Sequence, residues 1–126
     1  MSTQSNQIVD DSMQNADCFV SRNPVERTLE KILGQSWYGL MESAEAEELL
    51  QGQKNGTYLF RIDEIGDIFL SGVNNVNTVQ HAKIENRRSI WWAFNGNDYK
   101  SNVLHELIPL SLHCEKGECS PLIKGR

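Results

Sequence analysis

Four short segments with strand character follow one another between residues 57 and 94. Each is rich in apolar, β-branched and aromatic side chains, and turns containing Gly, Asn or Asp separate them. Such short connections predict antiparallel pairing, because a parallel pair needs a long crossover. The predicted strands are Thr57 to Ile62, Ile68 to Val73, Thr78 to Ile84 and Ser89 to Phe94.

Two amphipathic helices bracket these strands. The first is predicted over residues 43–51, with Ser43 as its N-cap and acidic residues in its first turns. The second is predicted from about Ser101 and should end or kink at Pro109, which lacks an N–H group. The order helix, strands, helix predicts an α+β fold, in which a central antiparallel β-sheet is flanked by two α-helices.

The chain divides by composition into three parts. Residues 1–22 are rich in Ser, Gln, Asn and Asp and show no apolar periodicity, which predicts a disordered tail. Asn23 and Pro24 are a typical helix start, so residues 23–35 are predicted to form an extra N-terminal helix that leads into the domain. The domain itself is predicted over residues 36–126.

Charge and hydropathy narrow the classes of partner. The net charge of −5 and the pI of about 5.1 argue against a nucleic-acid binder, which would need a basic face. No apolar run is long enough to cross a membrane, and the N-terminus lacks the features of a secretory signal. We therefore expect a monomeric, cytoplasmic protein that binds neither nucleic acid nor membrane.

The cysteines predict neither a disulfide framework nor a metal site. Cys18, Cys114 and Cys119 are an odd number in a chain without a secretory signature, which favours free thiols. His113 lies beside Cys114, but a structural zinc site needs four ligands in paired spacings. No metal and no cofactor are expected.

Arg61 does not fit the apolar pattern of its strand. Tyr58, Leu59 and Phe60 precede it, so the strand is predicted to be central and the arginine to be buried. A buried guanidinium needs a partner, which leaves two hypotheses. It forms an internal salt bridge, for instance to Asp63, Glu64 or a glutamate of the first helix, or it lies in an anion pocket and binds two oxygens of a phosphate.

Several motifs around Arg61 occur in an order that is typical of one family. The chain reads WYG at residues 37–39, EAEELL in the first helix and GTYLFR up to Arg61. VQHAKI, YKS and HELI follow in the later strand and the second helix. From Trp37 to Ile123 the sequence resembles the Src homology 2 (SH2) family.

The resemblance implies a non-catalytic module that binds phosphotyrosine-containing peptides or proteins and serves as a signalling adaptor or targeting module. It implies that Arg61 is the phosphate ligand at the floor of the pocket. Lys83 would lie along the phosphotyrosine, and His81 would hold the core near Arg61. The phosphotyrosine-binding residues predicted in this way are Arg61, Lys83, His81, Ser43, Asp63 and Glu64.

The sequence departs from the family in two places. Many members carry an arginine near the start of the first helix, where this chain has Ser43 or Ala44. The loop after the phosphate-binding arginine is normally rich in hydroxyl and basic residues, but here it contains Asp63, Glu64 and Asp67. We expect these carboxylates to point outward, so that the backbone N–H groups of the loop face the phosphate.

Two alternatives differ from a phosphotyrosine reader. One is an interaction module of the same fold with a silent pocket, in which Arg61 is paired internally with Asp63 or Glu64. The other is a small enzyme that uses a histidine and a cysteine, such as His81 and Cys114. The enzyme lacks a third group that would orient the pair.

Overall fold

The computed structural model describes residues 24–115 and 117–123. The predicted tail, residues 1–22, and Cys18 within it lie outside these ranges. The described part of the chain divides into two units, with the boundary between Gly34 and Gln35. In the first unit, helix α1 spans Pro24–Leu33, within the segment predicted to be helical.

The second unit is built on a seven-stranded sheet in the order β1-β2-β3-β4-β5-β6, with β7 also paired to β2. Strands β2 and β3 have the predicted bounds, whereas β4 runs three residues beyond its predicted end at Ile84 and β6 was not predicted. The strands are β1 (Trp37–Leu40), β2 (Thr57–Ile62), β3 (Ile68–Val73), β4 (Val79–Arg87), β5 (Ile90–Phe94), β6 (Asp98–Ser101) and β7 (Ser120–Pro121).

The sheet is mixed, which corrects the prediction of a purely antiparallel one. Strands β2 to β6 pair antiparallel, but β1 and β7 both run parallel to β2. The parallel pairing of β1 and β2 is possible because a helix lies between them in the chain and supplies the crossover. The predicted α+β class, a central sheet with flanking helices, is confirmed.

That helix, α2, spans Ser43–Leu50. Its N-cap is Glu42 rather than the predicted Ser43, and no side chain caps it. Ala46 and Leu50 are fully buried and form an apolar cluster with Leu59 of β2. This cluster fixes α2 on the face of the sheet to which Leu59 and Arg61 both point, since residues two apart on a strand share a face.

The second flanking helix begins later than predicted. Ser101 ends β6, a 3₁₀ turn covers Leu104–Glu106, and helix α3 covers Leu107–Leu112. The prediction was that the helix ends or kinks at Pro109. The helix does not end there, because this proline lies in the first turn of α3, where no intrahelical N–H bond is required.

Helix α3 approaches the opposite face of the sheet closely at Gly72. A Cβ atom on Gly72 would lie 2.7 Å from Leu112 Cδ1 and 2.9 Å from the carbonyl oxygen of Thr57. Gly72 is therefore required for α3 to pack this closely against the sheet.

The prediction of free thiols is wrong for two of the cysteines. Cys114 and Cys119 form a disulfide that closes a short loop before β7. Spacing alone did not reveal the pair, because the loop must fold back for the two Cα atoms to come within 5.8 Å. In the ranges that the structure describes, no helix is long and apolar enough to cross a membrane.

Candidate functional site

Arg61 lies in the most enclosed strand of the sheet. Every residue of β2 is buried, and both edges of the strand are paired: β3 pairs with one edge, while β1 and β7 share the other. Only 2% of Arg61 is exposed. The sequence prediction of a buried strand arginine agrees with this position.

Three neutral groups hold the guanidinium of Arg61. Its Nε donates to Ser71 Oγ at 2.9 Å, and its Nη1 donates to the carbonyl oxygen of Met41 at 3.1 Å. Its Nη2 lies 3.2 Å from Nδ1 of His81. A guanidinium has five N–H donors, so one N–H on each terminal nitrogen has no acceptor among the described residues.

The hydrogen bonds of His81 define its tautomer. Its Nε2 lies 2.9 Å from Oε2 of Glu47, a carboxylate on α2 that can only accept, so Nε2 carries a proton. Its Nδ1 lies 2.7 Å from Ser71 Oγ and accepts from that hydroxyl and from Arg61. Glu47, His81 and Ser71 thus form a chain of hydrogen bonds that orients the guanidinium.

Burial is costly for this charge. Desolvation lowers the pKa of Arg61 from its usual value, and the negative charges of Asp63 and Glu47 partly oppose that shift. Within the described part of the chain, Arg61 forms no salt bridge with Asp63 or Glu64. The internal pairing on which the silent-pocket hypothesis depended is therefore not formed.

A concavity of about 420 Å³ opens above Arg61. We call Arg61, together with Ser71 and His81, which bond to it, the floor. We call the residues Glu42, Asp63, Glu64 and Ile65 the mouth. Ser43, the first residue of α2, contributes to the wall, so the N-terminal end of that helix borders the space. The residues that line the concavity are Glu42, Ser43, Arg61, Asp63, Glu64, Ile65, Phe69 and His81.

The loop between β2 and β3 bonds to itself. Oδ1 of Asp63 accepts from the N–H groups of Ile65, Gly66 and Asp67 at 3.1, 3.0 and 2.8 Å. The expectation that these N–H groups face the phosphate is therefore wrong. The Asp63 carboxylate already occupies the place that an anion would take in this loop.

Of the predicted site residues, Lys83 alone does not line the concavity. It follows His81 by two residues on β4 and so shares its face, as predicted. Phe69 of β3 stands directly opposite both Arg61 and Lys83, and so lies between them. The amine of Lys83 pairs instead with Asp67 at 3.7 Å and Glu85 at 3.4 Å.

Sequence reasoning missed three contributors: Ser71, Phe69 and the Met41 carbonyl. It considered a glutamate of the first helix only as a direct partner of Arg61, whereas Glu47 of that helix bonds to His81. A signal did exist for Ser71, which is a polar residue in the otherwise apolar strand IFLSGV. The hairpin register pairs Leu59 with Ser71 and Arg61 with Phe69, and would have identified both residues of β3.

A family model described as SH2 domain matches residues 37–110. The solution NMR structure of the SH2 domain of a Monosiga brevicollis CRK/CRKL homolog is 24% identical, with a TM-score of 0.53, and the match covers 72% of this chain and 88% of that one.

Two VAV1 structures are also similar. The SH2 domain of human proto-oncogene protein VAV1 is 23% identical over 86% of this chain and 79% of that one, with a TM-score of 0.47. The VAV1 SH2 domain complexed with a tyrosine-phosphorylated peptide from SLP76 is 24% identical over 79% and 72%, with a TM-score of 0.44. No curated protein sequence matches the chain. Because the family model covers more than half of its residues, the chain belongs to the SH2 domain family.

Proposed function

We propose that this domain binds phosphotyrosine-containing peptides or proteins without catalysing a reaction, as an adaptor or targeting module. The observation that supports this most directly is the state of Arg61. It is a buried cation held by neutral partners, with one N–H left on each terminal nitrogen beneath an open concavity. A guanidinium can bind two oxygens of a phosphate through two of its N–H donors.

The surroundings of Arg61 support a deep anion site. An anion that enters and pairs with the guanidinium offsets part of the free energy cost of burying it. The adjacent N-terminus of α2 carries partial positive charge and uncapped N–H groups, which favour negative charge. Among the predicted residues, Arg61 would bind the phosphate and His81 would orient the guanidinium of Arg61. Ser43 would contribute from the wall.

The proposal is tested by titrating matched peptides that carry phosphotyrosine, phosphoserine or plain tyrosine. We expect wild-type protein to prefer the phosphotyrosine peptide. Arg61→Ala should weaken that binding by roughly 2–5 kcal/mol, because it removes the charged partner of a desolvated pair. Arg61→Lys is the matched control: it keeps the charge but loses the planar fork, so it should restore only part of the affinity.

The opposite result would favour a silent pocket. If wild-type protein binds phosphorylated and plain peptides equally, the domain is not a phosphotyrosine reader. The acidic mouth is the feature that would produce this result, because its carboxylates repel a dianion. The enzyme alternative has no support at its proposed nucleophile, since Cys114 is in a disulfide and cannot form a thiolate.

A further inference from the structure

Phe69 lies between Arg61 and Lys83, the two cations that were predicted to bind the phosphotyrosine. In the sheet register it stands opposite Arg61 on one side and Lys83 on the other. All three side chains therefore point to the same face, with the aromatic ring in the middle. Phe69 lines the concavity above Arg61, whereas Lys83 does not.

The contacts of Phe69 place it beside Arg61. Its ring centroid lies 4.5 Å from Cζ of Arg61, within the range of a cation–π contact. The ring also lines the concavity and is only partly buried, so part of its surface is open to a ligand. Ile65, with 85% of its surface exposed, lines the same space and adds a second apolar side chain.

Arg61 and the N-terminus of α2 favour an anion, but the acidic residues that line the concavity oppose it. One guanidinium and three acidic residues, Glu42, Asp63 and Glu64, line the concavity, and three N–H groups of the loop are bonded to Asp63. Apolar and aromatic contact must therefore supply a larger share of the affinity. A phosphotyrosine carries such a surface next to its phosphate, whereas phosphoserine and free phosphate do not.

We propose that Phe69 is the specificity-determining residue of this site and that the ring of the bound phosphotyrosine packs against it. This inference rests on the proposed function and assigns to Phe69 the part that the resemblance assigned to Lys83. Arg61 then recognises the phosphate, and Phe69 recognises the aromatic ring that carries it. Lys83 remains paired with Asp67 and Glu85, outside the lining of the concavity.

The test separates the two parts of the ligand. Inorganic phosphate, phenyl phosphate and a phosphotyrosine peptide are titrated by NMR chemical shifts against wild type, Phe69→Leu and Lys83→Ala. An aromatic pair contributes enough for Phe69→Leu to weaken phenyl phosphate and the peptide by about 2- to 13-fold. Inorganic phosphate should keep its affinity in that variant, and Lys83→Ala should leave phenyl phosphate unchanged.

Three outcomes would overturn the inference. Phe69→Leu could weaken all three ligands equally, which would mean that Phe69 only positions Arg61. It could leave phenyl phosphate unaffected, or Lys83→Ala could prove the more damaging variant for that ligand. Failure of the proposed function gives a different result, since wild-type protein would then not prefer the phosphotyrosine peptide at all.

Discussion

In the floor of the concavity, side chains from different strands bond to one another, whereas in the mouth a single loop bonds to itself. Ser71 and His81 come from β3 and β4 and converge on Arg61 of β2. In the mouth, Asp63 accepts three N–H groups from the residues that directly follow it. The geometry of the floor thus depends on the register of three strands, and that of the mouth on local sequence.

This difference explains how the chain can diverge from its family in one region and not in the other. A change in the loop after β2 leaves the partners of Arg61 in place, because none of them belongs to that loop. A change in the floor would leave buried polar groups without partners, which is costly. The acidic mouth therefore need not disturb the floor beneath it.

If hydrogen bonds between strands hold the floor, the loss of one of its members should lower the stability of the domain. Ser71→Ala removes the acceptor of Arg61 Nε and the donor to His81 Nδ1, both of them buried or half-buried bonds. We expect the free energy of unfolding to fall by about 1–3 kcal/mol, the usual cost of an unsatisfied buried polar group. Denaturant unfolding measures this, and phosphotyrosine affinity should fall with it.

Ser120→Ala is the matched control for this variant. It makes the same chemical change at an exposed residue of β7, where we expect a change within about 0.5 kcal/mol. If Ser71→Ala proved as mild as Ser120→Ala, the hydrogen-bond network would not be what holds Arg61.

Elements set by local sequence were predicted well, whereas elements that depend on pairing between distant segments were not. The bounds of β2 and β3 were predicted residue for residue, because alternation and turn residues are local signals. Strand β6 was missed because its four residues become a strand only by pairing with β5. Helix α3 was placed too early for the same reason, since Ser101 belongs to β6.

The site divides in the same way. Arg61 and His81 were identified from motif order, and the structure brings them together. Phe69 and Ser71 could not be identified without the register of the β2–β3 hairpin, which no single segment encodes. The self-bonded loop was missed because its N–H groups could satisfy either an external anion or the Asp63 side chain, and composition does not decide between the two.

Removing one charge from the mouth should strengthen binding. Asp63→Asn keeps an oxygen that can accept the three loop N–H groups but removes a negative charge beside the phosphate site. We expect phosphotyrosine affinity to rise by roughly 1 kcal/mol, about fivefold, from reduced repulsion. Asp67→Asn is the matched control, since its carboxylate lies outside the lining of the concavity and pairs with Lys83. A loss of affinity in Asp63→Asn would mean that the charge is needed to hold the loop.

Glu64→Gln should have the smallest effect, because its carboxylate belongs to an exposed residue and is screened by solvent. We expect a gain in affinity of only a few tenths of a kcal/mol.

The repulsion from the mouth is tested more sharply by the dependence of phosphotyrosine affinity on ionic strength. As salt rises and the Debye length falls from about 30 to about 3 Å, attraction to Arg61 and repulsion from the mouth are both screened. Because the mouth carboxylates are more exposed than Arg61, salt should weaken the repulsion more, so wild-type affinity should hold or rise. In the double variant Asp63→Asn, Glu64→Gln that repulsion is largely gone, and titrations across the same salt range should show affinity falling. A steep fall in the wild type would show that the mouth does not oppose the phosphate, and the contrast between floor and mouth would then be structural only.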